Sequence, residues 1–181
     1  MPALTSSLAH VVRSFADFLF PPICFGCDEE TESGLVCDSC RLLLFTSELD
    51  VCPRCGRPCA EASRSCGCCE VPYCLSRTRA VGLYQPPFNK LIHALKYREK
   101  TALAELMGDA LAALIGQDSE LRTVDALCPI PLHPARLRER GYNQSELLAD
   151  EVSRLTRIPV SRALKRVRNT KSQASLKDDD Q

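Results

Sequence analysis

Cys24, Cys27, Cys37 and Cys40 form a C-x2-C-x9-C-x2-C run, and Cys52, Cys55, Cys66 and Cys69 follow as C-x2-C-x10-C-x2-C. Thiolates separated by two residues on a tight knuckle can share one tetrahedral ion, and a second knuckle completes the set. The spacing therefore predicts two structural Zn2+ sites of four thiolates each. Iron of the rubredoxin type uses the same ligands, and spacing does not separate it from zinc. A disulfide framework would need an oxidising compartment. The first twenty residues, MPALTSSLAHVVRSFADFLF, have no basic leader and no unbroken apolar run, because Arg13 and Asp17 interrupt them. Neither a signal peptide nor a membrane span is expected, and the expected location is cytoplasmic. A thioredoxin-like redox pair would follow a strand and open a helix. Here Pro53-Arg-Cys-Gly-Arg-Pro58 surrounds the pair instead. Of the remaining cysteines, Cys59, Cys68, Cys74 and Cys128, Cys68 lies inside the last knuckle and can exchange with a neighbour as ligand. Cys128 sits in an apolar run, which predicts a buried, inert thiol.

A second constellation lies at Pro129-Ile-Pro-Leu-His-Pro-Ala-Arg-Leu-Arg-Glu-Arg-Gly-Tyr-Asn-Gln144. Arg136, Arg138 and Arg140 precede Asn143 and Gln144 at a helix start. Free backbone N–H groups there, with arginines nearby, suit a phosphate or pyrophosphate. The competing reading is a solvated loop in which Asn143 only caps the helix. His93, next to the apolar face of its helix, is expected to be structural, and His133 to be a loop hydrogen-bonder, since both metal sets already have four thiolates.

Three segments must position these groups. Residues 1–20 carry Leu4, Leu8, Val11, Val12, Phe15, Phe18 and Leu19 at helical spacing, an amphipathic helix packing on its own domain. Residues 21–75 are the double ribbon, where metal binding worth about 10–16 kcal/mol replaces a core. Residues 76–181 have the composition of an α/β domain. Strands are expected at 80–84, 124–130, 158–160 and 163–167, the second of them buried. Helices are expected after Pro86-Pro87, over 102–115 with Gly116 as terminator, and from Asn143 onward. A strand, loop, helix and strand in that order make a βαβ unit. Lys and Arg total 23 and Asp and Glu total 23, so net charge predicts no partner. The stretch 152–176 is one-sided, with seven basic residues from Arg154 to Lys171 and no acid.

These motifs resemble the ComF family (competence protein F, GntX-like), phosphoribosyltransferase-like proteins with an N-terminal double zinc ribbon. The resemblance is carried by Leu19-Phe-Pro-Pro-Ile-Cys-Phe-Gly-Cys27, Cys52-Pro-Arg-Cys-Gly-Arg-Pro58, Leu91-Ile-His-Ala-Leu-Lys-Tyr97, Pro131–Gln144 and Arg168-Asn-Thr-Lys-Ser-Gln173. It implies a type I phosphoribosyltransferase-like domain, a twisted parallel sheet flanked by helices. It also implies binding of phosphoribosyl pyrophosphate with Mg2+ at the carboxyl ends of the strands. Arg138, Arg140, Asn143 and Gln144 then fall on the pyrophosphate loop, Lys96 and Tyr97 approach the same pocket, and Arg168, Thr170 and Gln173 begin a second loop. The family association is with DNA uptake, alongside a helicase.

The resemblance also implies an acidic-Thr-Gly loop of the form DDxxTTG after a late strand, and the 181 residues hold no such run. Asp178-Asp-Asp180 follows no apolar strand. The expectation is a domain lacking its C-terminal part and catalytically incomplete, with phosphoribosyl pyrophosphate and Mg2+ bound by the complete form and no catalytic residue or acceptor assigned. The alternative expectations are a zinc-ribbon module for single-stranded DNA and a protein-docking platform without transferase activity.

Overall fold

The computed structural model describes residues 21–31, 34–46, 50–59, 66 and 75–170. The expected helix over 1–20, Cys68, Cys69, Cys74 and Gln173 lie outside the described residues. The chain divides into two units, one up to Ala94 and one from Leu95.

The first unit is built on one loop used twice. In the first copy, the Cys24 N–H donates to the Glu29 carbonyl at 2.8 Å, Asp28 N–H to Cys24 at 2.9 Å and Thr31 N–H to Pro22 at 2.8 Å. In the second, Cys52 donates to Arg57 at 2.8 Å, Gly56 to Cys52 at 3.0 Å and Cys59 to Asp50 at 2.9 Å. Antiparallel bridges Ile23–Glu30 and Val51–Pro58 close the two loops. The residue after the second cysteine is left-handed in both, Asp28 at φ 66° and Gly56 at φ 69°. Helix α1 (Asp38–Thr46) starts between the last two cysteines of the first set. Cys24, Cys40 and Cys52 are themselves among the buried residues here, with Leu44, Leu91 and Ala94. A core so small, half of it thiol, is what a metal-held module has in place of apolar bulk.

Helix α2 (Phe88–Tyr97) begins directly after the Pro86-Pro87 pair and buries Leu91, Ala94 and Leu95 along one face. The expected strand at 80–84 is a run of bends instead. Gly82 lies under the Phe88 ring, where a Cβ would fall 2.3 Å from the ring edge. Pro86 and Pro87 also bring no N–H to a ladder.

The second unit is mainly helical. Helix α3 (Leu103–Gln117) packs on α5 (Gln144–Thr156), with Leu103, Ala104, Ala110, Val152 and Ile158 buried. Gly108 permits the approach, since a Cβ there would meet the Glu151 Cγ at 2.5 Å. Gly116 does not end α3, which runs to Gln117 with nothing within 4 Å of the glycine.

Between α3 and α5 lies α4 (Pro134–Arg140), where the sequence suggested a loop. His133 caps it, its Nδ1 accepting from the Ala135 N–H at 3.2 Å, Pro134 opens it and Gly141 at φ 81° closes it. Residues 124–130 and 158–161 meet at one parallel bridge, Leu127–Val160. Among the described residues no longer ladder forms. Pro129, Pro131 and Pro159 remove donors on both arms. The segment 163–167, expected as a strand, is unpaired backbone with Leu164 and Val167 exposed, and Cys128, expected to be buried, is exposed.

Candidate functional site

In the first metal set the sulfurs of Cys24, Cys27, Cys37 and Cys40 all lie within 4.8 Å of one another. Cys27 and Cys37 Sγ are 3.7 Å apart, and a tetrahedral ion with Zn–S near 2.3 Å would separate its sulfurs by about 3.8 Å. Cys52, Cys55 and Cys66 form the second cluster, with Cys55 and Cys66 Sγ 3.5 Å apart. The four expected ligands of that site include Cys69, which lies outside the described residues. The donor sets and separations fit two structural zinc sites.

Backbone donors are already aimed at the sulfurs. Gly26 and Cys37 N–H groups reach Cys24 Sγ at 3.3 Å each, and the Cys66 N–H reaches Cys52 Sγ at 3.5 Å. Burial opposes the thiolate at Cys24, but the N–H groups of Cys37, Gly26 and Cys27 outweigh it and bring the thiol down to about 6. Burial and the neighbouring thiols push Cys40 the other way. Four sulfurs this close resist being charged together until a cation joins them.

A second site lies in the other unit. A cavity of about 200 Å³ is lined by Lys96 and Tyr97 from the end of α2, Glu99 just beyond it, Arg136, Glu139 and Arg140 from α4, and Tyr142. The Arg140 guanidinium lies over the Tyr97 ring, 5.1 Å from its centre, and donates to the Gln144 Oε1 at 2.6 Å. Arg136 pairs with Glu139 at 2.9 Å. The Tyr142 hydroxyl donates to the Leu95 carbonyl, one of the unpaired carbonyls in the last turn of α2, and so ties the α4–α5 turn to that helix end. Burial raises the Tyr142 phenol above its usual range. Glu99, at φ 54°, turns the chain sharply after α2.

Of the residues singled out in the sequence, Lys96, Tyr97, Arg136 and Arg140 line this cavity, and Gln144 is attached through Arg140. Asn143 is buried and fully engaged: its Oδ1 caps α5 through the Ser145 N–H at 3.0 Å, and its Nδ2 donates to the Ile130 carbonyl at 3.1 Å. Arg138 is exposed and does not line the cavity, and Arg168 is exposed on the extended segment after α5. Glu99, Glu139 and Tyr142 carry no such signal as ligand contacts in the sequence. The signal that finds Arg136 and Arg140 together is their i, i+4 spacing once residues 134–140 are read as a helix.

A double zinc ribbon family model matches residues 15–70. The chain is 30% identical over 163 residues to the DNA utilization protein YhgH of Escherichia coli K12, spanning 86% of this chain and 71% of that protein. The chain belongs to the YhgH/ComF family. The competence protein F of Haemophilus influenzae, 26% identical, matches 85% of this chain and 63% of its own length. Competence protein ComFC of Bacillus subtilis is 29% identical over 70% of this chain and 55% of its own. No solved structure matches this ComF-family chain significantly. Among the described residues of this family member, no helix is long and apolar enough to cross a membrane.

Proposed function

We propose that this chain is a ComF-type phosphoribosyltransferase-like protein that acts in DNA utilisation and uptake, its second unit binding phosphoribosyl pyrophosphate with Mg2+. The observation that carries the reading is the convergence of Lys96, Arg136 and Arg140 on one cavity. Three cations outnumber Glu99 and Glu139 around this small space, Arg136 being shared with Glu139, and guanidinium groups give phosphate oxygens paired donors. The arms around α4 and α5 add support: they pair in parallel with helices between them, the connectivity of a βαβ unit. The names of the relatives, DNA utilization and competence proteins, support the uptake role. The ribbons stabilise the first unit by holding two zinc ions.

Transfer chemistry is not expected of these 181 residues, which hold no DDxxTTG run to cradle a 5-phosphate. The exposed Arg157, Lys165 and Arg168 favour a second reading, contact with single-stranded DNA alone or beside a helicase. Arg154 and Arg162 are partly spent on Glu151 and Asp150.

Calorimetric titration of the zinc-loaded chain with phosphoribosyl pyrophosphate tests the first reading. Saturable, Mg2+-dependent binding is expected, weakened at least about tenfold by Arg140→Ala, since a lost charged hydrogen bond costs about 1.5–3 kcal/mol. No binding, or binding untouched by Arg140→Ala and Lys96→Ala, would refute it. DNA binding without any salt dependence would refute the second.

A further inference from the structure

The two knuckles are held by the same downstream stretch of chain. At the second, the Thr78 N–H donates to the Arg54 carbonyl at 2.8 Å. The Arg79 guanidinium donates to the Pro53 carbonyl at 2.9 Å and reaches the Cys52 carbonyl at 3.5 Å. The Thr78 carbonyl lies so close to Gly56 that a Cβ there would be 2.6 Å away. At the first knuckle, Lys90 meets the Asp28 carboxylate at 2.5 Å. Pro87 lies against Gly26, where a Cβ would stand 2.8 Å from the Pro87 Cβ and 2.9 Å from the Cys40 sulfur. Residues 78–90 thus touch each knuckle with a cationic side chain, Arg79 on backbone carbonyls of the second and Lys90 in an ion pair with Asp28 of the first.

Those charges have an electrostatic task. Four thiolates around one dication leave a net charge of about −2 at each site. Backbone N–H dipoles offset part of it at Cys24 and Cys52. At the second site the Arg79 guanidinium, fixed on the Pro53 carbonyl, offsets more. At the first, the Lys90 charge is balanced by Asp28, and the pair acts by holding the turn after Cys27, so that in both a thiolate is less free to leave the metal for a competing ligand.

We propose that residues 78–90 form a strap whose two cations, Arg79 at the second knuckle and Lys90 at the first, each retain the zinc of their own site. The strap makes the two sites separately adjustable. Arg79 fixes the backbone of the Cys52–Cys55 knuckle, and Lys90, through Asp28, fixes the turn that follows Cys27.

The experiment follows zinc release from the purified, zinc-loaded full chain into excess chelator. Timed alkylation and peptide mass spectrometry read Cys24, Cys27, Cys37 and Cys40 separately from Cys52, Cys55 and Cys66. Arg79→Ala is expected to expose the second set about tenfold faster, the low end of what outer-shell partners of metal ligands carry, and to leave the first set unchanged. Lys90→Ala is expected to do the reverse. Arg79→Lys and Lys90→Arg keep the charge and should stay within about twofold of the unmodified chain. Equal acceleration at both sites, no acceleration, or charge-retaining variants as fast as the alanines would overturn the proposal. If an alanine variant loses metal during purification, loss confined to its own site supports the strap and loss from both overturns it.

Discussion

Asn143→Ala is the sharpest probe of the second unit, because Asn143 is the buried polar side chain among the described residues, only 4% exposed. Its Oδ1 accepts the Ser145 N–H, and its Nδ2 donates to the Ile130 carbonyl and to the Glu146 carboxylate at 3.2 Å. Alanine removes the cap of α5, at about 1 kcal/mol. It also leaves the Ile130 carbonyl without this donor, at about another 1 kcal/mol. The sum is about 2 kcal/mol. For a unit of this size each kcal/mol moves Tm by about 4–8 °C, so a fall of about 8–16 °C is expected. Asn143→Ser keeps a capping oxygen and loses the longer reach, so it should recover about half. The assay is thermal and denaturant unfolding of the zinc-loaded chain, followed by far-ultraviolet circular dichroism. A loss under about 0.5 kcal/mol for alanine would show that the two bonds do not hold α5 to the 124–130 arm. Equal losses for alanine and serine would remove the capping half of the argument.

Gly56→Ala combines a left-handed backbone, costing about 1–2 kcal/mol, with overpacking against the Thr78 carbonyl, about 1–3 kcal/mol. A loss of about 2–5 kcal/mol is expected in chemical denaturation. Gly34→Ala, at φ 81° with nothing within 4 Å, should cost only the backbone part. Hydrogen bonds from Arg154 hold the Glu151 carboxyl below its ordinary value. The pair's contribution is therefore complete above the unfolded value of about 4.3 and is lost as pH falls through the lower folded value. Arg154→Gln should cost about 0.2–0.5 kcal/mol at neutral pH and nothing near pH 2, measured by urea unfolding at both.

Local signals were legible. The ligand spacing located the cysteine clusters, Pro86-Pro87 marked the start of α2, and Asn143 announced the start of α5. Helix α4 escaped because Pro129, Pro131 and Pro134 read together as loop. Yet Pro134 at the first helical position and Gly141 just past the last are the ordinary boundaries of a short helix. The strands depended on partners distant in sequence, and β propensity at Ala80–Tyr84 or Ala163–Val167 says nothing about whether a neighbour with free donors will arrive. Cys128 is exposed for the same reason: an apolar run is buried only if something covers it. Lys96 and Arg140 are 44 positions apart in sequence, and what brings them to one cavity is the Tyr142 hydroxyl on the Leu95 carbonyl, a contact with no sequence signature.

The doubled loop gives the chain a built-in reference. Positions 22–31 and 50–59 share their backbone bonds residue for residue, so any change made in one can be compared with an untouched sibling in the same molecule. Asp28 and Gly56 already record one divergence: the first copy accepted a side chain where the second kept none, and attached it to Lys90. A chain carrying two renderings of one small loop can let one drift toward new contacts while the other preserves the shape.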